Sequence, residues 1–124
     1  CSSDLSDASS PCRLAKILDR FPDLTLIAAH LGGYRRWEES MKYLVGRNVY
    51  FDTSSTLAIL DRNKVVELIR KHGVHKVLFG SDYPMWSPAE EVERFMGLDL
   101  TTKEQNMILW ENGIILLKNQ RPSL

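Results

Sequence analysis

The chain has 124 residues, a length that suits one domain with a buried core. Sixteen basic and 16 acidic residues cancel to a formal net charge of zero and form no long run of one sign, so we expect neither nucleic acid nor an anionic membrane as a partner. No apolar stretch approaches the ~20 residues that a membrane-spanning helix needs.

The start of the chain is polar and carries few signals. The first residue is Cys1 and not Met, so we expect the biological N-terminus to lie further upstream. Residues 1–10 are rich in Ser and Asp and are predicted to form a loop. The two cysteines, Cys1 and Cys12, are too few for a disulfide framework. With no secretory signal visible, we expect a cytoplasmic location.

A first helix is predicted to begin at Ser10 and Pro11, with Ser at the N-cap and Pro at the first helical position. Apolar residues follow at helical spacing at Leu14, Ile17, Leu18 and Phe21. The turn signal of residues 21–23 ends this helix, which is therefore predicted to pack one face inward.

Three short apolar runs, at 24–29, 48–51 and 76–79, are predicted to be strands. Each run is continuous rather than alternating, which is typical of strands buried on both faces. A helical pattern that ends in glycine separates each pair of runs, and Asp61 is placed to cap the second of these helices. This is the spacing of βαβ units, so we expect an α/β fold with three parallel strands adjacent in chain order.

Helices are predicted after the third strand. Residues 87–90 and residues 101–104 each have the pattern of a capping box, which marks the start of a helix. Asn112 and Gly113 predict a break in the second of these helices. No composition shift divides the chain, so we expect residues 1–124 to form a single unit.

Polar side chains follow each predicted strand at its carboxyl end, where parallel sheets bind their ligands. His30 follows the first strand, Asp52 and Ser54 the second, and Asp82 the third. A histidine and an aspartate are both good ligands for a zinc-like ion, and an aspartate can also act as a general base. These strand ends are the candidate site.

The segments 21–33 (FPDLTLIAAHLGG) and 77–84 (VLFGSDYP) resemble the amidohydrolase-2 family of metal-dependent hydrolases and decarboxylases. The resemblance runs from about residue 11 to residue 117. It implies a partial TIM (β/α)8 barrel whose parallel strands are equivalent to barrel strands six to eight with their flanking helices. On the same basis, residues 1–10 would be a loop after a missing strand five.

The resemblance also implies the roles of the two main candidates. His30 and Asp82 would be both catalytic residues and ligands of a divalent metal, expected to be zinc. The family's histidine pair on strand one and its strand-five histidine are not in this sequence. Because two ligands are fewer than the three that a catalytic zinc usually has, we expect this chain alone to bind metal poorly and to be inactive.

Other strand-end residues are candidates for substrate binding: Asp52, Ser54, Tyr83 and Trp86. For each of them a local turn or loop-packing role is an equal alternative. His72 and His75 fall at the opposite end of the sheet, where a structural role is favoured.

The function expected from the resemblance is hydrolysis of a small carboxylic acid, amide or ester by a metal-dependent enzyme. A non-oxidative decarboxylase of the same family is one alternative, and a non-catalytic half-barrel or assembly module is another. A sheet with two open edges invites pairing, so we expect a homo-oligomer or a complementary N-terminal half as the partner.

Overall fold

The computed structural model describes residues 10–83 and 85–120. In chain order its helices and strands are α1 (Pro11–Arg20), β1 (Ile27–Ala28), α2 (Trp37–Tyr43), β2 (Tyr50–Asp52), α3 (Arg62–His72), β3 (Val77–Leu78), α4 (Pro88–Met96), α5 (Thr102–Asn106) and α6 (Asn112–Gln120). Single 3-10 turns lie at His30–Gly32 and Val74–Lys76, and a π-helical turn at Met107–Glu111 joins α5 to α6. The predicted loop at residues 1–10 falls, except for Ser10, outside the described residues.

The sheet has the predicted topology. Its three strands are parallel in the order β1-β2-β3. Ala28 is in register with Phe51, and Phe51 with Val77. The α/β fold with parallel strands adjacent in chain order is therefore confirmed. The strands are shorter than the apolar runs that predicted them, because only two or three residues of each run are paired in the sheet.

Local sequence signals place most of the helix starts correctly. The Ser10 hydroxyl accepts a hydrogen bond from the Arg13 amide at 3.4 Å, and Pro11 is the first residue of α1. Asp61 caps α3 by accepting from the Asn63 amide at 3.2 Å. The capping box of residues 101–104 has both of its hydrogen bonds. Each signal satisfies backbone donors that a helix leaves free at its first turn.

Two predictions about the C-terminal half are wrong. Ser87 precedes α4 but makes no capping hydrogen bond through its side chain, so residues 87–90 are not a capping box. The predicted break at Asn112 and Gly113 is absent, since the chain there stays helical. The reason is that the buried Asn112 amide donates to the carbonyl oxygens of Val74 and Val77, at 2.7 and 2.8 Å, and so ties α6 to the sheet.

The core lies between one face of the sheet and the helices. It contains the inward residues of all three strands and the apolar faces of the helices, among them Ala28, Val49, Phe51, Val65, Ile69, Val77, Phe95 and Ile108. The opposite face of the sheet is only partly covered, and Ile27 in β1 is 48% exposed. The helices therefore cover one face and leave the other partly open to solvent.

None of the helices within residues 10–83 and 85–120 is both long and apolar enough to cross a membrane. The cytoplasmic location expected from the sequence stays a prediction.

Candidate active site

His30 and Asp82 lie in the loops that follow the carboxyl ends of the outer strands of the sheet. His30 is two residues beyond the end of β1, and Asp82 is four residues beyond the end of β3. His30 is half-buried, whereas Asp82 is exposed. Parallel strands bring these loops to one edge of the sheet, with the loop that follows β2 between them.

The backbone at this edge is strained. Five residues other than glycine have a positive φ within the described parts of the chain, and all five lie in the loops that follow the strands: His30, Leu31, Arg35, Ser55 and Asp82. Left-handed backbone costs ~1–2 kcal/mol for most residues, although Asp and His adopt it more readily than Leu or Ser. Such strain often marks functional sites, where the surrounding contacts hold the unusual backbone in place.

The ring of His30 is held by the loop after β2. Its Nδ1 lies 2.7 Å from the Ser54 carbonyl oxygen and 3.0 Å from the Ser54 hydroxyl. Because a carbonyl oxygen only accepts, Nδ1 carries the proton and donates, and Nε2 of the neutral ring keeps its lone pair. The Tyr34 ring packs edge-on against the imidazole at 5.6 Å. Within the described residues, Nε2 is therefore the ring nitrogen that remains available to bind a metal or a substrate group.

Asp52 and Ser54 were predicted to bind substrate, and in the structure their side chains bond to the protein. Asp52 Oδ1 accepts from the His30 amide at 3.0 Å, from the Ser54 amide at 3.0 Å and from the Ser54 hydroxyl at 2.5 Å. These bonds fasten the loop after β2 to the loop after β1. A substrate-binding role for either residue stays a prediction.

Asp82 is held by Ser55, the residue that follows Ser54 in the loop after β2. The Ser55 hydroxyl donates to Asp82 Oδ2 at 2.6 Å, and the Trp86 indole donates to the Ser55 hydroxyl at 3.0 Å. Within the part of the chain that the structure describes, Oδ1 of Asp82 accepts no hydrogen bond. Consecutive serines, Ser54 and Ser55, thus contact the two candidate catalytic residues on either side of the middle strand.

Tyr83 and Trp86 were also predicted to bind substrate. Tyr83 is 74% exposed, and Trp86 is half-buried beside Ser55. A cavity of about 480 Å³ opens next to His30, and Tyr34 and Arg36 contribute to its lining. Neither Tyr83 nor Trp86 lines this cavity.

The donor set suits a divalent ion but is incomplete. A neutral imidazole with a free Nε2 and a carboxylate with a free oxygen are both ligands that zinc and manganese accept. The bond from Nδ1 to a backbone carbonyl is the usual outer contact of a metal-binding histidine. However, no three His, Cys, Asp or Glu side chains gather as a metal-binding group within residues 10–83 and 85–120. Ligands from outside these residues would have to complete the site.

The sequence interpretation did not include two donor side chains at this edge, Trp37 and Ser40. The Trp37 indole donates to the His30 carbonyl oxygen at 2.9 Å, and the Ser40 hydroxyl donates to the Leu31 carbonyl oxygen at 2.6 Å. Gly32, with φ of 99°, leaves the space that Ser40 occupies. A donor side chain in the helix that follows the Gly-Gly turn was the available signal.

Comparison with known families identifies the chain. The Amidohydro_2 family, described as amidohydrolase, matches residues 4–118. The chain therefore belongs to this family, as the two sequence segments indicated. A search of curated proteins gives no significant match.

Solved structures support the same fold. A dihydroxybenzoic acid decarboxylase from Polaromonas sp. JS666, solved with manganese and the inhibitor 2-nitroresorcinol, is 20% identical with a TM-score of 0.68, over 90% of this chain and 40% of the other. An uncharacterized TIM-barrel protein from Bordetella bronchiseptica is 23% identical with a TM-score of 0.73, over 94% and 42%. A putative 2-pyrone-4,6-dicarboxylic acid hydrolase from Pseudomonas putida is 18% identical with a TM-score of 0.67, over 91% and 50%.

The chain thus spans 40–50% of the length of these three structures. Together with three parallel strands and their flanking helices, this makes the fold a partial TIM barrel. The fold class that the resemblance implied is confirmed.

Proposed function

We propose that this chain supplies part of the active site of a metal-dependent hydrolase that acts on a small carboxylic acid, amide or ester. The observation that carries the proposal is the shared edge of the sheet, where His30 and Asp82 are fastened to adjacent serines of one loop. Within residues 10–83 and 85–120, His30 Nε2 and Asp82 Oδ1 have no hydrogen-bond partner. Membership of the amidohydrolase family supports it. A divalent metal, expected to be zinc, would lower the pKa of a bound water and polarise the substrate carbonyl.

Each residue then has a task that its contacts allow. Asp82 Oδ1 takes a proton from the attacking water and returns it to the leaving group, as a general base and then a general acid. With Nδ1 donating to the Ser54 carbonyl oxygen, the lone pair of a neutral His30 ring lies on Nε2, which then acts as a metal ligand or as a hydrogen-bond acceptor. The tautomer thus favours these roles over donation to a developing negative charge. Asp82 and His30 together would hold the metal, along with ligands from outside the chain.

Decarboxylation of a carboxylic acid is the second candidate. The same strand-end groups serve it, and the structures with similar folds include decarboxylases from Polaromonas and Rhizobium as well as the Pseudomonas hydrolase. The two reactions separate by product, since only decarboxylation releases carbon dioxide. A non-catalytic half-barrel is the third candidate, and the partly open face of the sheet favours it.

The proposal is tested in the polypeptide or complex that completes the barrel. Asp82→Asn is the sharpest change, because Asn tolerates the left-handed backbone, with φ of 59°, that Asp82 adopts. Loss of the proton-transferring oxygen should lower kcat by ~10²–10⁴-fold while the unfolding midpoint stays unchanged. Removal of metal by a chelator should abolish turnover of the unchanged enzyme, and zinc should restore it. Full activity of Asp82→Asn would contradict the proposal.

The completing partner is a complementary N-terminal half or a second copy of the chain. The partly open face of the sheet supports this, since the apolar residue Ile27 is 48% exposed there. We expect the isolated chain to self-associate at low micromolar concentration, as measured by light scattering coupled to size exclusion. Ile27→Lys should shift it toward the monomer, because a charge opposes burial of that face. A stable, cooperatively unfolding monomer of the unchanged chain would contradict the expectation. Small substrates and a cytoplasmic location complete the proposal.

A further inference from the structure

Ser55 adopts a backbone conformation that is energetically unfavourable for serine. Its φ is 51°, in the left-handed region that glycine enters without strain. The side chain is nevertheless buried, with 5% exposure, in the loop that follows β2. A residue that carries backbone strain in a buried loop must do something with its side chain that glycine cannot do.

The hydrogen bonds around Ser55 have a fixed direction. An indole N–H can only donate, so the Ser55 oxygen accepts from Trp86. The single hydroxyl proton of Ser55 is then directed to Asp82 Oδ2, at 2.6 Å. Chains of this kind strengthen each bond by polarisation. Trp86 therefore sets the orientation of the hydroxyl, and the hydroxyl sets the orientation of the carboxylate.

Trp86 is itself anchored from α4. The Arg94 guanidinium lies 5.7 Å from the centre of the Trp86 ring, within cation–π distance. Arg94 also donates to Glu91 Oε1 at 2.7 Å, and the Glu91 side chain is fully buried. A buried carboxylate thus fixes the arginine that covers the indole. These contacts connect the buried Glu91 of α4 to the exposed Asp82.

We propose that Ser55 and Trp86 are positioning residues that hold Asp82 by Oδ2 and present Oδ1 to the reacting groups. The proposal deepens the proposed function, on which it rests for the catalytic role of Asp82. It also assigns Trp86 a task other than substrate binding. The hydroxyl of Thr53, in the same loop, bonds within the described residues only to the backbone of Gly80, at 3.2 and 3.3 Å, and so provides a matched control with a structural hydroxyl.

The test compares Ser55→Gly with Ser55→Ala in the full chain by NMR. Both variants remove the hydroxyl, but only glycine relieves the left-handed strain, so Ser55→Gly should unfold at a higher urea concentration than Ser55→Ala. In both variants the Trp86 indole proton should exchange with water at least tenfold faster, and the Asp82 carboxylate ¹³C signal should shift. The Trp37 indole, bonded to His30, serves as an internal control and should not change.

Thr53→Val should move neither the Trp86 nor the Asp82 signal. Unchanged signals in both Ser55 variants would overturn the proposal. If these variants do not fold, Trp86→Phe takes their place: it leaves Ser55 intact and removes the donor that orients its hydroxyl, so the Asp82 signal must still shift. An unshifted Asp82 signal there would also overturn it. In the completed enzyme, Ser55→Gly should lower kcat about tenfold with little change in KM. If the NMR signals move but Asp82→Asn keeps full activity, the positioning stands and the proposed function fails.

Discussion

Two histidines of this chain lie at opposite edges of the same sheet and are held in opposite ways. His30, at the carboxyl edge, is half-buried and has one ring nitrogen engaged by the Ser54 carbonyl oxygen. His72, the last residue of α3, is buried and has both nitrogens engaged: Nδ1 accepts from the Gly46 amide at 3.0 Å, and Nε2 donates to the Val49 carbonyl oxygen at 2.7 Å. A ring with both nitrogens engaged stabilises the fold, whereas a ring with one free nitrogen remains available for chemistry.

The surroundings of His72 strengthen this contrast. Its ring stacks on Phe51, with 3.9 Å between the ring centres. Burial lowers the pKa of His72 from its ordinary value of 6.5, and the nearby charges of Lys76 and His75 lower it further, against the bond to Val49, which raises it. A helix C-terminus favours a charged histidine. At this position desolvation outweighs that effect, and the neutral ring is part of the structure.

The largest expected effect that separates the two edges is on stability. His72→Ala removes two buried hydrogen bonds and a stacked ring, so it should lower the free energy of unfolding by about 2–4 kcal/mol. His30→Asn keeps a residue that tolerates left-handed backbone and should cost less than ~1 kcal/mol. Urea unfolding of both variants measures this difference. Equal losses of unfolding free energy in the two variants would contradict the distinction between a structural and a functional histidine.

A smaller effect should appear in the pH dependence of stability. Because the folded pKa of His72 is below the unfolded value of 6.5, the unfolded state binds the proton more readily. The stabilising contribution is therefore fully present above pH 6.5 and is lost as pH falls through the folded pKa, by up to ~1.4 kcal/mol for each pH unit between the two values.

Urea unfolding between pH 5 and 8 measures this loss, and His72→Gln, which does not titrate, provides the control. The slope attributable to His72 should be absent in the control. A slope that persists unchanged in His72→Gln would assign the pH dependence to other groups.

The sequence predicted the parts of this molecule that depend on local chemistry. Caps at Ser10, Asp61 and Thr101, and the order of three parallel strands, follow from short patterns whose physical cause lies within a few residues. The helical path through Asn112 could not be predicted, because its side-chain amide donates to Val77 and Val74, which lie 35 and 38 positions earlier in the chain. A pattern of turn-forming residues carries no information about such distant acceptors.

The site shows the same division. That His30 and Asp82 follow the carboxyl ends of strands was readable from the apolar runs before them. Ser54 contacts His30, Ser55 contacts Asp82, and Trp37 donates to His30. These contacts depend on how separate segments pack together, so the sequence did not predict them. Hydroxyls and indoles are common in loops for local reasons, so sequence alone left the roles of Ser54 and Trp86 even between substrate binding and a local turn or loop-packing role.

The central claim is that the carboxyl edge of the sheet carries the metal-binding part of an active site. The direct measurement is a titration of the ¹⁵N-labelled chain with Mn²⁺, whose unpaired electrons broaden the NMR signals of nearby residues. The claim predicts weak binding, with broadening centred on His30 and Asp82 and extending to Ser54 and Ser55, and a loss of this pattern in Asp82→Asn. Broadening centred on His72 and His75 at the opposite edge, or tight binding that His30→Asn does not weaken, would contradict it.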